Sequence, residues 1–181
     1  MNAALRYHIK KCAEQANADA DVQIPVRDIE LVVKKMGGRV VFPKGFDDVS
    51  EGSVKKRGEK GFEIRVQPSV RQDKRKLNFA VAREIGHLYL HMGFDAKQEK
   101  WSEQGSEYKK FTAEQEQEAN EFAVAFLMPK SDFSAALYRL KRNGDINIAE
   151  LAEYFNVTEA SARNRGGILG YWGRDDKNNY V

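Results

Sequence analysis

The stretch from residue 71 to residue 92 limits the fold more than any other part of the chain. Leu77, Val81, Ile85, Leu88 and Met92 recur at steps of three and four, the spacing that lines side chains along one face of a helix. A helix this long with a continuous apolar stripe must lie on a core, and Gly93 supplies its stop. A second row runs along the same helix. Successive residues turn by about 100°, so Arg83, His87 and His91, each four apart, stand one above the other, with Glu84 beside them.

The rest of the chain supplies a core for that helix. Residues 3–19 are alanine-rich and of helical composition. Pro25 suits the first turn of a helix over roughly 26–36, which the Gly37-Gly38 pair would end. Arg39-Val40-Val41-Phe42 reads as a strand closed by Pro43. Residues 53–57 and 62–66 flank Gly58-Glu59-Lys60-Gly61, and Phe62, Ile64 and Val66 alternate with Glu63 and Arg65. That is a hairpin pattern. From Asp95 to Glu118 there is no Ile, Leu, Val or Met, although Trp101, Tyr108 and Phe111 occur. The first part of this span is expected to be a long loop, and its aromatics would cap a cleft, grip a partner or form a small satellite core.

A second long helix is expected from about Thr112, with Glu114, Gln115 and Glu116 in its first turn, to Met128 before Pro129. Three shorter helices follow at Asp132–Asn143, Asn147–Phe155 and Thr158–Arg165. The last two, joined at Asn156-Val157, resemble a helix-turn-helix. The chain therefore reads as α+β, with a domain over 1–130 and a helical extension over 131–181 packed on it.

Composition narrows the class. With 41% hydrophobic residues the chain can bury a core, and 30 Lys+Arg against 27 Asp+Glu describe a mixed surface rather than a basic block. The lone Cys12 permits no internal disulfide, and the first residues, interrupted by Arg6, Lys10 and Lys11, form neither a signal peptide nor a membrane span. The expectation is a cytoplasmic protein with no membrane partner.

The row on the long helix carries the chemistry. In zinc peptidases the motif H-E-x-x-H places two histidines at i and i+4 on one Zn²⁺, and the intervening glutamate acts as base on the metal-bound water. Here the run is Asn78-Phe79-Ala80-Val81-Ala82-Arg83-Glu84-Ile85-Gly86-His87-Leu88-Tyr89-Leu90-His91, followed by Glu118-Ala119-Asn120-Glu121-Phe122-Ala123 and Leu127-Met128-Pro129. In the order and spacing of these segments the chain resembles the ImmA/IrrE family of metallo-endopeptidases. These are gluzincin-type enzymes of mobile elements and stress responses that cleave helix-turn-helix repressors. The resemblance covers most of the chain. It implies a zincin-like domain with a small sheet and two ligand-bearing helices, with zinc as cofactor, Glu84 as general base, His87 as second ligand and Glu118 as third.

Arg83 departs from that pattern. Its guanidinium stays protonated and has no lone pair for a metal. It brings a positive charge to where a dication would sit and would pair with Glu84, Glu118 or both. Zinc would then bind weakly or not at all, leaving a regulatory protein that acts on a helix-turn-helix repressor through an impaired peptidase site. A second reading keeps an active zinc endopeptidase, with the metal moved one turn to His87, His91 and Glu118. That site lacks its base, because Leu88 follows His87. A third reading is a DNA-binding module using Arg163 and Arg165 on the last helix. His87 also reads as a core histidine bonded to an acid, and Glu118 as one solvated acid among Glu114, Glu116 and Glu121.

Overall fold

The computed structural model describes residues 1–44, 51–95, 100–101, 111–141 and 145–172. Helix α1 spans Ala3–Asp19, capped by the Asn2 side chain on Leu5 N. Helix α2 spans Ile29–Lys35 and begins later than its Pro25 suggested. The reason is local: the Asp28 carboxylate accepts from Leu31 N and fixes the first turn there. Gly37, at φ +82°, then turns the chain out of the helix.

Strands β1 (Gly38–Val41), β2 (Gly52–Arg57) and β3 (Gly61–Val66) form one sheet in the order β1-β3-β2. β1 runs parallel to β3, with Gly38 opposite Phe62, and β2 runs antiparallel, with Val54 opposite Ile64. The alternation in β3 sends Phe62, Ile64 and Val66 into the core. Glu63, on the other face, is also buried, and Arg39 and Lys55 from the two flanking strands pair with it.

Helix α3 spans Lys74–His91. The single helix expected over 71–92 is divided, because Asp73 caps α3 through Arg75 N and Lys76 N and leaves Val70–Gln72 as a 3-10 turn. Helix α4, Ala113–Leu127, opens on a full capping box: the Thr112 hydroxyl accepts from Gln115 N, and the Gln115 side chain accepts from Thr112 N. α3 and α4 approach tightly at Gly86, where an added Cβ would stand 3.0 Å from the Phe122 ring. Strands β4 (Phe94–Asp95) and β5 (Lys100–Trp101) make a short pair. It holds Trp101 against Phe94 and lets the indole nitrogen donate to Gly61 O. Trp101 is thus tied to the sheet.

Helices α5 (Lys130–Leu140), α6 (Ile148–Phe155) and α7 (Glu159–Ile168) complete the described chain. The core is continuous from Ile9 of α1 through Phe62, Ile85, Phe122 and Phe126 to Phe133 and Phe155. Burying side chains of this size contributes about 1.5–3 kcal/mol each before the entropy of ordering is subtracted. Among the described residues no helix is long and apolar enough to cross a membrane. The architecture is α+β: a small mixed sheet carries α3, and α4 packs across α3.

Candidate active site

The helical spacing puts Arg83, Glu84, His87 and His91 on the side of α3 that meets the start of α4. Five contacts link them to each other and to α4. The Arg83 guanidinium lies on Glu84, with Nη2 3.0 Å and Nε 3.2 Å from Oε1. Arg83 Nε also stands 3.9 Å from Glu116 Oε2, and His87 Nε2 is 3.5 Å from the same oxygen. The two histidines meet through their Nδ1 atoms at 3.0 Å, and His91 Nε2 is 3.0 Å from Glu118 Oε2. Phe111 covers the group, its ring stacked on His87 at 3.7 Å between centroids. At the other edge Gly52 of β2 approaches Glu84 so closely that an added Cβ would lie 3.1 Å from Oε1. Edge strand, arginine and would-be base are therefore packed together.

Hydrogen-bond bookkeeping assigns the tautomers. A carboxylate only accepts, so His91 carries a hydrogen on Nε2 toward Glu118. If His91 is neutral, its Nδ1 is a bare acceptor, and His87 must donate to it from Nδ1. His87 Nε2 is then left with a lone pair. That atom is buried and has no hydrogen-bond partner. Burial first, and then the neighbouring His91 and Arg83, push the His87 pKa down to about 3, so the ring is neutral at ordinary pH.

This arrangement fits zinc only in part. His87 offers a buried lone pair on Nε2 while its other nitrogen is held by a hydrogen bond, as a metal-ligating histidine requires. Among the described residues no second and third donor converge with it. Glu116, 3.5 Å from that atom, also faces Arg83, and Arg83 occupies the turn from which the first ligand would come. Among the described residues there is no group of three or more His, Cys, Asp or Glu that could hold a metal. The residues present do not fit a resident zinc, and no step of chemistry is derived through one.

The individual expectations from sequence fall out as follows. Of the two acids expected beside Arg83, Glu84 is in contact, whereas Glu118 engages His91 and Glu116 takes its place near the guanidinium. The shifted set of His87, His91 and Glu118 is brought into one chain of contacts but not around one point. His91 presents one ring nitrogen to His87 and the other to Glu118, so these two lie on different sides of the ring. Tyr108 lies outside the described residues. Glu116 was missed as a site residue, and only its place one turn before Asn120 of the E-A-N segment could have marked it.

The two arginines of the last helix separate. Arg163 is exposed, 3.9 Å from Glu159. Arg165 is not available to a DNA groove: it is 3% exposed, and its Nε donates to Met128 O at 2.8 Å. Its side chain points under α7 into the body of the protein. Burial lowers its pKa to about 10, which leaves it charged at neutral pH.

Comparison with known proteins bears on the family of the chain. No curated protein sequence matches the chain. The family model for the IrrE N-terminal-like domain, Peptidase_M78, matches residues 50–165. That span runs from β2 through α3 and α4 to Arg165 and so contains every residue of the arginine–histidine cluster. It covers more than half of the 181 residues. The chain belongs to the ImmA/IrrE family, Peptidase_M78.

Proposed function

We propose that this chain is a regulatory protein built on the metallopeptidase scaffold of its family, in which Arg83 has replaced the metal. One observation carries the reading: the Arg83 guanidinium sits on Glu84 at 3.0 Å and faces Glu116. A charge-assisted pair of this kind, nearly shut off from water, holds the would-be general base in an ion pair and supplies the positive charge that a zinc ion would otherwise bring. The junction of α3 and α4 then needs no metal to keep its shape. Its use is then to bind a protein partner, and the family resemblance favours a helix-turn-helix repressor of a mobile element or stress response. The zincin-like arrangement of α3 and α4 and the helix-turn-helix-like pair α6 and α7 belong to the same reading.

A second reading has one observation in its favour. The unpartnered Nε2 of His87 is what remains of a ligand set, and an active zinc endopeptidase would use it. Metal content separates the two. Elemental analysis of the purified wild-type chain should find well below one zinc per chain, and Arg83→His should raise that content towards one. Glu84→Gln should leave the regulatory effect on the repressor intact. If the wild-type chain already holds one zinc, and a chelator stops cleavage of the partner, replacement by Arg83 is wrong.

A further inference from the structure

The buried Arg165 has a use that lies outside the site on α3. Its Nε is spent on Met128 O. Among the described residues its two terminal nitrogens have no hydrogen-bond partner. Arg165 lines a half-open cavity of about 260 Å³ between α1, α4, α5 and α7. Four N–H donors on a fixed planar fork are thus available beside a half-open cavity, from a residue that is 3% exposed. An accepting group that entered the cavity would find these donors free of protein partners.

The cavity walls tell what that would be. Arg6 and Lys10 of α1 and Lys130 of α5 join Arg165 around it, against the single carboxylate of Glu121. That carboxylate is already engaged by Arg6 at 3.3 Å. Glu14, near Lys10, is shared between Lys10 and Lys11. Lys130 has no ion-pair partner among the described residues. Arg6 and Lys10 are thus each matched by a carboxylate, and Arg165 and Lys130 remain as two positive charges that a dianion matches better than a monocarboxylate. The fork geometry of arginine suits phosphate oxygens two at a time. The remaining wall is apolar, formed by Ile9, Ala125 and Ile168, and would take a small organic body.

We infer that this cavity is a binding site for a phosphomonoester with a compact apolar body, the phosphate on Arg165 and Lys130 and the body on Ile9 and Ala125. Its occupation would tie α1, α5 and α7 together at the C-terminal end of α4, the helix that carries Glu116 and Glu118. The site does not depend on the reading of Arg83.

Isothermal titration of the full chain with phenyl phosphate and with inorganic phosphate, at ionic strength matched with chloride, tests it. Phenyl phosphate should bind with Kd of ~1 mM or tighter, and more tightly than inorganic phosphate. Lys130→Gln, at an exposed position, should weaken it by about tenfold, a single lost charge-assisted contact. Arg165→Lys, which keeps the charge and removes the fork, should weaken it at least as much. Thermal denaturation confirms that the Lys130→Gln chain remains folded, so that this variant carries the test if Arg165→Lys unfolds. No binding of phenyl phosphate, or binding that Lys130→Gln leaves unchanged, overturns the site. Inorganic phosphate binding as tightly as phenyl phosphate overturns the assignment to a phosphomonoester.

Discussion

His87 and His91 share one hydrogen bond between their Nδ1 atoms, 3.0 Å apart. His87 is thereby committed as a neutral donor inside the protein, and its pKa is held at about 3 against an ordinary 6.5. The consequence for stability has a definite sign. Between those two values the unfolded chain takes up a proton that the folded chain refuses. Stability is therefore fully present above the unfolded pKa and falls as pH drops from about 6.5 towards 3, by at most about 1.4 kcal/mol per pH unit. Denaturation midpoints measured across this range for the wild type and for His87→Gln should diverge above pH 3, with the variant flatter. Parallel curves would show that the buried imidazole is not the titrating group.

An aromatic side chain lies over that ring. Phe111 stacks on His87 with planes 11° apart, and burial is the largest cause of the low pKa. Phe111→Ala admits water to the ring. The His87 midpoint, followed by the imidazole carbon-bound proton in NMR, should climb from about 3 towards 6.5. A midpoint that stays low would assign the shift to His91 and Arg83 instead.

Gly86 sets the distance between α3 and α4, and with it the reach from Arg83 to Glu116. A Cβ there would meet Phe122, which is fully buried and has no room to move away. Gly86→Val should cost about 1–3 kcal/mol by overpacking. Gly86→Ala should cost less, since alanine regains about 1 kcal/mol of helix propensity. Chemical denaturation reads both, and a valine variant as stable as the wild type would mean the helices separate freely.

What could be read from the sequence depended on whether the cause was local. The extent of α1, the hairpin of β2 and β3 and the start of α4 at Thr112 follow from residues adjacent in the chain, and all three are found where expected. Asp28 and Asp73 are equally local signals, and weighing them against Pro25 and the apolar stripe would have placed both helix starts. Glu116 was different. Glu114, Glu116 and Glu118 are chemically alike, and which of them faces Arg83 is decided by how α4 crosses α3. That crossing is set by the close approach of Gly86 and Phe122, far apart in sequence. Arg163 and Arg165 pose the same problem: two residues apart on a helix, they point to opposite environments, and only tertiary packing says which is inside.

That difference makes a final prediction about the last helix. Arg165→Ala removes a buried hydrogen bond to Met128 O and leaves that carbonyl without its donor, so it should destabilise the chain by about 1–3 kcal/mol. Arg163→Ala removes an exposed contact with Glu159 at 3.9 Å and should change stability by no more than ~0.5 kcal/mol. A double alanine variant would therefore lose any DNA binding through damage to the fold, which says nothing of a DNA interface. The informative variant is Arg163→Ala alone. If α7 enters a major groove, a gel shift at low salt should weaken in this variant while the thermal midpoint holds. Equal shifts for wild type and Arg163→Ala, or none for either, leave α7 as a packing helix whose second arginine faces inward.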